Sequence, residues 1–295
     1  MAMTARAHLF LPLAASLLYV LGAVYLKRAT QGGVGMWRAA FVSNWVSAVL
    51  FLPVLALGGT MQPWTVMWQP AVVAALLVLG QCAALWALTL GDVSVATPVM
   101  GAKVILVAVF TTVIAGMEVP LKLWLAAFLS AAAVGVLNRG GRGRHHDLTL
   151  TVVGSMVAAV AFALFDVLVM DWSRTWGAGR LLPLSMGLAA VYSVAFVPLF
   201  RAPLRSVPRP VRPLLFGGAF FIGLQGVLLI TTLGVFGDAT AVNIVYGTRG
   251  VWSVVLVWVF GRHLGALEGA QGSRVLGWRL AGAGLMSTAV VVVFF

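Results

Sequence analysis

The stretch Gly91-Asp92-Val93-Ser94-Val95-Ala96-Thr97-Pro98-Val99-Met100-Gly101-Ala102-Lys103 repeats its pattern in Gly237-Asp238-Ala239-Thr240-Ala241-Val242-Asn243-Ile244-Val245-Tyr246-Gly247-Thr248-Arg249. Each copy opens with Gly-Asp, runs largely apolar and ends on a cation eleven residues past the aspartate, at a constant offset of 146 residues. A helix rises ~1.5 Å per residue, so each cation lies roughly 16 Å along its helix. That is about half of a ~30 Å hydrocarbon core. The same ungapped offset aligns Ala15 with Ala161, Leu18 with Leu164 and Arg28 with Arg174, so it serves two distant helix pairs. The pattern reads as an internal duplication.

Composition says what those helices cross. Hydrophobic residues fill 62% of the 295 positions, charged residues only 9%, and the mean hydropathy is +1.05. A soluble domain is near half apolar and a quarter charged, so this chain lacks the charge to clothe itself in water. Unbroken apolar runs at 71–79 and 290–295 exclude the alternating ~10-residue segments of a membrane β-barrel. The net charge of +12 is carried by short clusters between apolar runs. In a membrane protein such clusters report orientation, and no nucleic-acid partner is expected. The single cysteine, Cys82, excludes an internal disulfide framework. Residues 9–27 read as a retained first span, because no small-residue cleavage pattern follows them.

The expected fold class is all-α: a polytopic membrane protein with ten transmembrane helices, near 9–27, 37–58, 70–90, 93–115, 120–138, 149–170, 181–200, 213–235, 239–260 and 275–295. The basic, glycine-rich connector Arg139 to Asp147 splits them five and five. The expected domains are an N-terminal five-helix repeat over 1–138, a cytoplasmic linker over 139–148 and a C-terminal five-helix repeat over 149–295. Five is odd, so the second copy enters from the opposite side. Such inverted-topology repeats are common in secondary transporters, whose substrate sites lie near mid-membrane between the halves. Setting Lys103 and Arg249 aside, 13 basic residues fall on one side and 4 (Arg6, Lys122, Arg174, Arg180) on the other. The positive-inside rule then puts both termini outside the cytoplasm, and compact loops suit a prokaryotic inner membrane.

Ionisable groups at mid-membrane are costly and mark functional sites. Lys103, Arg249 and Asp166 are the three. Asp166 can pair with either cation and lock helices together, but one carboxylate cannot neutralise both. The residual charge of +1 is what a site for a carboxylate, phosphate or sulfonate would present. A desolvated Lys103 amine could also carry a coupling proton. Tyr19, Gln81, Gln225 and Tyr246 are further candidates for the substrate site, with Tyr246 three residues from Arg249 and on roughly its face; Asn44, Tyr192 and Asn243 are other polar groups within spans. Such groups also serve simply as interhelical hydrogen-bond makers. Small-residue spacings around Gly282 and Gly284 suit a close helix contact, within a monomer or across a homodimer.

No enzyme chemistry is legible: there is no catalytic constellation, no metal-ligand cluster and no cofactor motif. His145-His146 sits in the basic connector. Without an ATP-binding sequence, transport must draw on a gradient, such as that of a coupling proton, or an exchanged solute, unless a separate subunit supplies energy.

The two Gly-Asp stretches and the five-plus-five arrangement resemble the drug/metabolite transporter superfamily, in its ten-span EamA-type members. The resemblance implies that the fourth and ninth helices line a central cavity. Family members commonly carry Gly-Glu after those helices; here the first copy reads Gly116-Met117-Glu118 and the second Gly261-Arg262-His263, which departs from the pattern. Organophosphate and nucleotide-sugar antiporters of the superfamily use basic residues on the same two helices, and Lys103 and Arg249 look similar in placement. Fold alone does not fix the substrate. The function expected is a secondary-active transporter that moves a small organic anion or zwitterion by alternating access. Its alternatives are an amino-acid or drug exporter whose buried charges are structural, and, from another class, a lipid-headgroup flippase or a non-transporting membrane partner.

Overall fold

Apolar helices in lipid have every backbone group bonded internally and need bury no side chains, so the bundle turns its bulk apolar residues outward. Val49, Leu125, Phe128, Val153, Phe216, Phe220 and Leu280 are all exposed on its surface, whereas Ser16, Asn44, Ser130, Ser155, Asp166 and Asn243 are buried. The computed structural model describes residues 4–90, 93–137, 148–260 and 273–295, and every regular element within them is a helix. Gly91-Asp92, most of the 139–148 connector and Gly261-Arg262-His263 lie outside the described residues.

The elements are α1 (Phe10–Gln31), α2 (Met36–Leu50), α3 (Trp68–Leu90), α4 (Val93–Gly101), α5 (Lys103–Val113), α6 (Leu121–Leu137), α7 (Leu148–Trp176), α8 (Ala178–Tyr192), α9 (Arg212–Phe236), α10 (Ala239–Tyr246), α11 (Arg249–Phe260) and α12 (Ser273–Phe294). Eight stretches among the described residues are long and apolar enough to cross a membrane. Two expected spans fall short of that measure. α6 is an apolar helix of 17 residues, under the ~20 an upright crossing needs, and the ninth expected span is divided into helices of 8 and 12 residues.

Features of the first half recur in the second. α2 and α8 are both 15 residues long, both follow a glycine of positive φ (Gly35 at φ 74, ψ 146; Gly177 at φ 75, ψ 140), and both pass into a 3-10 segment. Glycine alone takes that backbone conformation at no steric cost. The fourth and ninth spans both tighten before their cation. Ala102 N–H donates to Val99 C=O at 3.1 Å, and Thr248 N–H donates to Val245 C=O at 3.1 Å. The α-type bonds resume with Leu106 N–H to Ala102 C=O and Trp252 N–H to Thr248 C=O. Both pairs of bonds are separated by the 146 residues of the sequence offset.

Tertiary packing follows the same relation. α1 lies along α9 and α3 along α7, and α6 packs on α12. Glycines bring these helices together, as expected where association depends on close packing in lipid. A Cβ on Gly22 of α1 would meet Ile222 of α9 at 2.9 Å, one on Gly80 of α3 would meet Phe162 of α7 at 2.7 Å, and one on Gly282 of α12 would meet Leu137 of α6 at 2.6 Å. Counterpart junctions lie at opposite ends of α2. At its start, Arg38 donates to the carbonyls of Gly33 and Pro203 and to Ser206 Oγ. Beyond its end, Thr60 N–H donates to Trp176 C=O at 2.8 Å and Gln62 to Thr175 C=O at 2.9 Å, across the α7–α8 junction. Phe10 and Phe294, 5.8 Å apart, bring the start of the first helix to the end of the last.

Candidate functional site

The two cations expected at mid-span both stand at the first residue of a resumed helix, Lys103 on α5 and Arg249 on α11, directly after the tightened turns. A 3-10 turn changes the angular step per residue, so each turn re-aims the side chain that follows it. Asp166, from the middle of α7, lies within electrostatic reach of both cations.

Their environments differ. Lys103 Nζ is 2.7 Å from Asp166 Oδ2, with the lysine side chain 15% exposed and the aspartate 3%. The Phe162 ring, one helical turn before Asp166 on α7, lies 5.8 Å from Nζ. Lys103 therefore holds α5 to α7 through a charge-assisted bond in a setting where either partner alone would be expensive.

Arg249 has no carboxylate within ion-pair distance among the described residues. Its guanidinium is flanked by two aromatic rings, 5.0 Å from the Tyr19 centroid on α1 and 4.8 Å from the Tyr246 centroid on α10. The two rings meet edge to face at 6.0 Å. Cation–π contact offsets part of the cost of desolvating a guanidinium, but it leaves the N–H donors of the fork without an anion. Tyr246 Oη donates to Gln225 Oε1 at 3.0 Å, which ties the cage to α9. Thr248 and Ser16 share a buried hydroxyl bond of 2.9 Å, which fixes the turn before Arg249 against α1. Trp252, three residues beyond Arg249, has a buried indole N–H with no acceptor.

Of the seven residues expected to form the site, Tyr19, Gln225, Tyr246 and Arg249 form one connected group, and Lys103 and Asp166 form a second within electrostatic reach of it. Gln81 joins neither by direct contact. Its amide is closed on Asn44 in a reciprocal pair, Asn44 Nδ2 to Gln81 Oε1 at 2.9 Å and Gln81 Nε2 to Asn44 Oδ1 at 3.0 Å, binding α2 to α3. Asn243 bonds within its own helix, to Ala239 C=O. Sequence reasoning missed Phe162, Ser16 and Thr248. Only Thr248 had a signal, as a hydroxyl residue directly before the mid-span arginine.

Among the described residues no group of His, Cys, Asp or Glu could hold a metal ion. The arrangement of an apolar exterior, a few charges inside the bundle and helices broken at two of them defines a polytopic helical membrane protein. Residues 6–139 match the EamA-like transporter family, of the drug/metabolite transporter superfamily. The resemblance read from the two Gly-Asp stretches is thereby borne out at the level of the superfamily. A solved crystal structure is similar with a TM-score of 0.68 at 19% identity, covering 97% of this chain and 97% of the other, which shows a shared fold. No curated protein matches the chain.

Proposed function

We propose that the protein is a secondary-active transporter in which Arg249 receives the anionic group of a small organic anion or zwitterion. The observation that carries this reading is the state of Arg249: a guanidinium at a helix break, caged by Tyr19 and Tyr246, without a carboxylate partner among the described residues. A charge inside a membrane bundle that no carboxylate neutralises marks a functional site by default, and Arg249 is half-buried there. The nearby carboxylate, Asp166, is already occupied by Lys103.

The pair has a role in the same scheme. An arriving anion attracts both cations, and movement of Lys103 toward it would free Asp166 to bind a substrate amine or a coupling proton. Exchange of partners at Asp166 is then the step that links substrate binding to helix movement. Two five-helix repeats of inverted topology support alternating access about this point. The recurrence of the 99–106 bonds at 245–252 favours that architecture, as does the placement of counterpart junctions at opposite ends of α2.

A thermal-unfolding screen of the detergent-solubilised protein tests the reading. Monocarboxylates, phosphate monoesters, amino acids and organic amines would be added at matched ionic strength. Ligands that bind the folded state raise the midpoint by mass action. The expected result is a saturable rise with one class of anion or zwitterion that Arg249→Ala abolishes. A response confined to amines and unchanged in Arg249→Ala would favour an exporter with structural charges.

A further inference from the structure

The end of the bundle that holds the α1–α2 junction and the start of α9 carries a separate feature. The segments 27–38 and 200–212 meet there, with Gly32 against Val211 and Arg38 bonded to Pro203 and Ser206. They contain Lys27, Arg28, Arg38, Arg201, Arg205, Arg209 and Arg212 and no acidic residue.

A groove with a cavity of about 320 Å³ opens in this region. Val42, Val207, Leu215 and Phe216 line its apolar part, and Arg205 and Arg212 are on its wall. Phe216 is 54% exposed on the lipid-facing surface of α9. Arg205 has no hydrogen bond or ion pair among the described residues. Arg212 is the first residue of the 25-residue helix α9, and its Nε donates to Val207 C=O at 3.1 Å. That bond fixes the arginine at the groove, and its terminal nitrogens have no hydrogen-bond partner among the described residues. Two guanidinium groups and a long helix's N-terminus thus converge beside an apolar channel that runs onto the membrane-facing surface. Each element favours an anion, and the channel favours a hydrocarbon chain beside it. Basic pockets at helix ends bind anionic lipid headgroups by this chemistry.

We propose that this groove binds one anionic phospholipid, its phosphate between Arg205 and Arg212 and an acyl chain along Leu215 and Phe216. The site stands apart from Arg249 and does not depend on the transport reading.

The test compares phosphatidylglycerol, phosphatidylcholine and soluble glycerol phosphate, each titrated into the purified full-length protein in a neutral detergent, with the unfolding midpoint as readout. Phosphatidylglycerol is expected to raise the midpoint saturably, and the other two are not. Arg205→Ala/Arg212→Ala should weaken the apparent lipid affinity by on the order of tenfold, since each surface arginine contributes a few-fold to anionic-lipid affinity. Arg209→Ala, outside the groove, should change it less than about twofold. Arg205→Ala alone keeps the Arg212–Val207 bond, and it should weaken binding several-fold even if the double variant fails to fold. An equal response to phosphatidylcholine, an unchanged Arg205→Ala, or an equal loss in Arg209→Ala would overturn the site. A response to glycerol phosphate matching that of the lipid would also overturn it, since the ligand would then be a soluble anion.

Discussion

Lys103 and Arg249 stand 146 residues apart at matching points of matching helix breaks, yet one faces a carboxylate and the other neutral rings. Facing Lys103, α7 supplies Asp166 and Phe162. At the same offset α1 has Val20 in place of Asp166 and Ser16 in place of Phe162, with Tyr19 beside them. Lys103 is therefore neutralised by a carboxylate from the other half of the chain, and Arg249 is held between two phenol rings, one from each half. The difference bears on the proposed repeat: two similar helix breaks 146 residues apart meet different partners. The tightened turn that presents a cation recurs at both points, and under the proposed function the residues opposite set whether that cation rests on a carboxylate or awaits an external anion.

The comparison breaks first at Asp166. Asp166→Asn leaves the Lys103 ammonium buried without its counter-charge, and loss of one partner of a buried pair typically costs ~3–5 kcal/mol. Thermal unfolding in detergent should show a marked fall in the midpoint, and Lys103→Met/Asp166→Leu should recover most of it. No recovery in the double variant would mean that Asp166 does more than neutralise Lys103.

On the other side, Arg249→Ala should leave the fold less affected, because no buried carboxylate is orphaned among the described residues. Its effect falls on the ligand. Removing one partner of a buried, charge-assisted hydrogen bond costs ~2–5 kcal/mol of binding, so the anion-dependent midpoint rise should vanish. Arg249→Lys should restore it only in part, since a lysine lacks the planar fork and stacks less well on the rings. Full restoration would show that charge alone is read.

A smaller effect separates the Asn44–Gln81 pair from the ligand site. Gln81→Leu orphans the Asn44 amide and should cost ~1–3 kcal/mol, whereas Asn44→Leu/Gln81→Leu should be nearly neutral. An unaltered anion response in the double variant is the expected outcome, and its loss would bring Gln81 into the substrate path. Smallest is Tyr246→Phe, which keeps the ring over Arg249 but removes the bond to Gln225; a cost of about 1 kcal/mol in stability is expected.

Much of the fold was legible because it depends on hydropathy and length, which lipid imposes directly. The expected spans at 9–27 and 149–170 coincide with α1 and α7, but both helices run further, to Gln31 and Trp176. Their last turns carry Lys27, Arg28, Asp171 and Arg174, and a hydropathy reading ends a span at such residues although the helix has no reason to stop. The helix breaks were not legible. Gly101 and Gly247 mark them, yet glycine is frequent in membrane helices, and the tightened turns are a matter of tertiary packing: Gly101 against Val134, Gly247 against Ser130 and Met286. The three charges within the spans could be picked from the sequence, since a charge inside an apolar run is conspicuous. Which cation Asp166 would meet could not, because both lie at the same expected depth. The partner was decided by α5 packing along α7, and the aromatic cage of Arg249 by residues 230 and 3 positions away in the chain.

The division of labour between the two cations is tested most directly by one set of titrations: the anion that stabilises the wild-type protein, applied to Arg249→Ala and to Lys103→Met/Asp166→Leu. Retained saturable binding in the pair-deleted variant and none in Arg249→Ala is the predicted result. Binding that survives in Arg249→Ala but disappears with the Lys103–Asp166 pair would contradict the account.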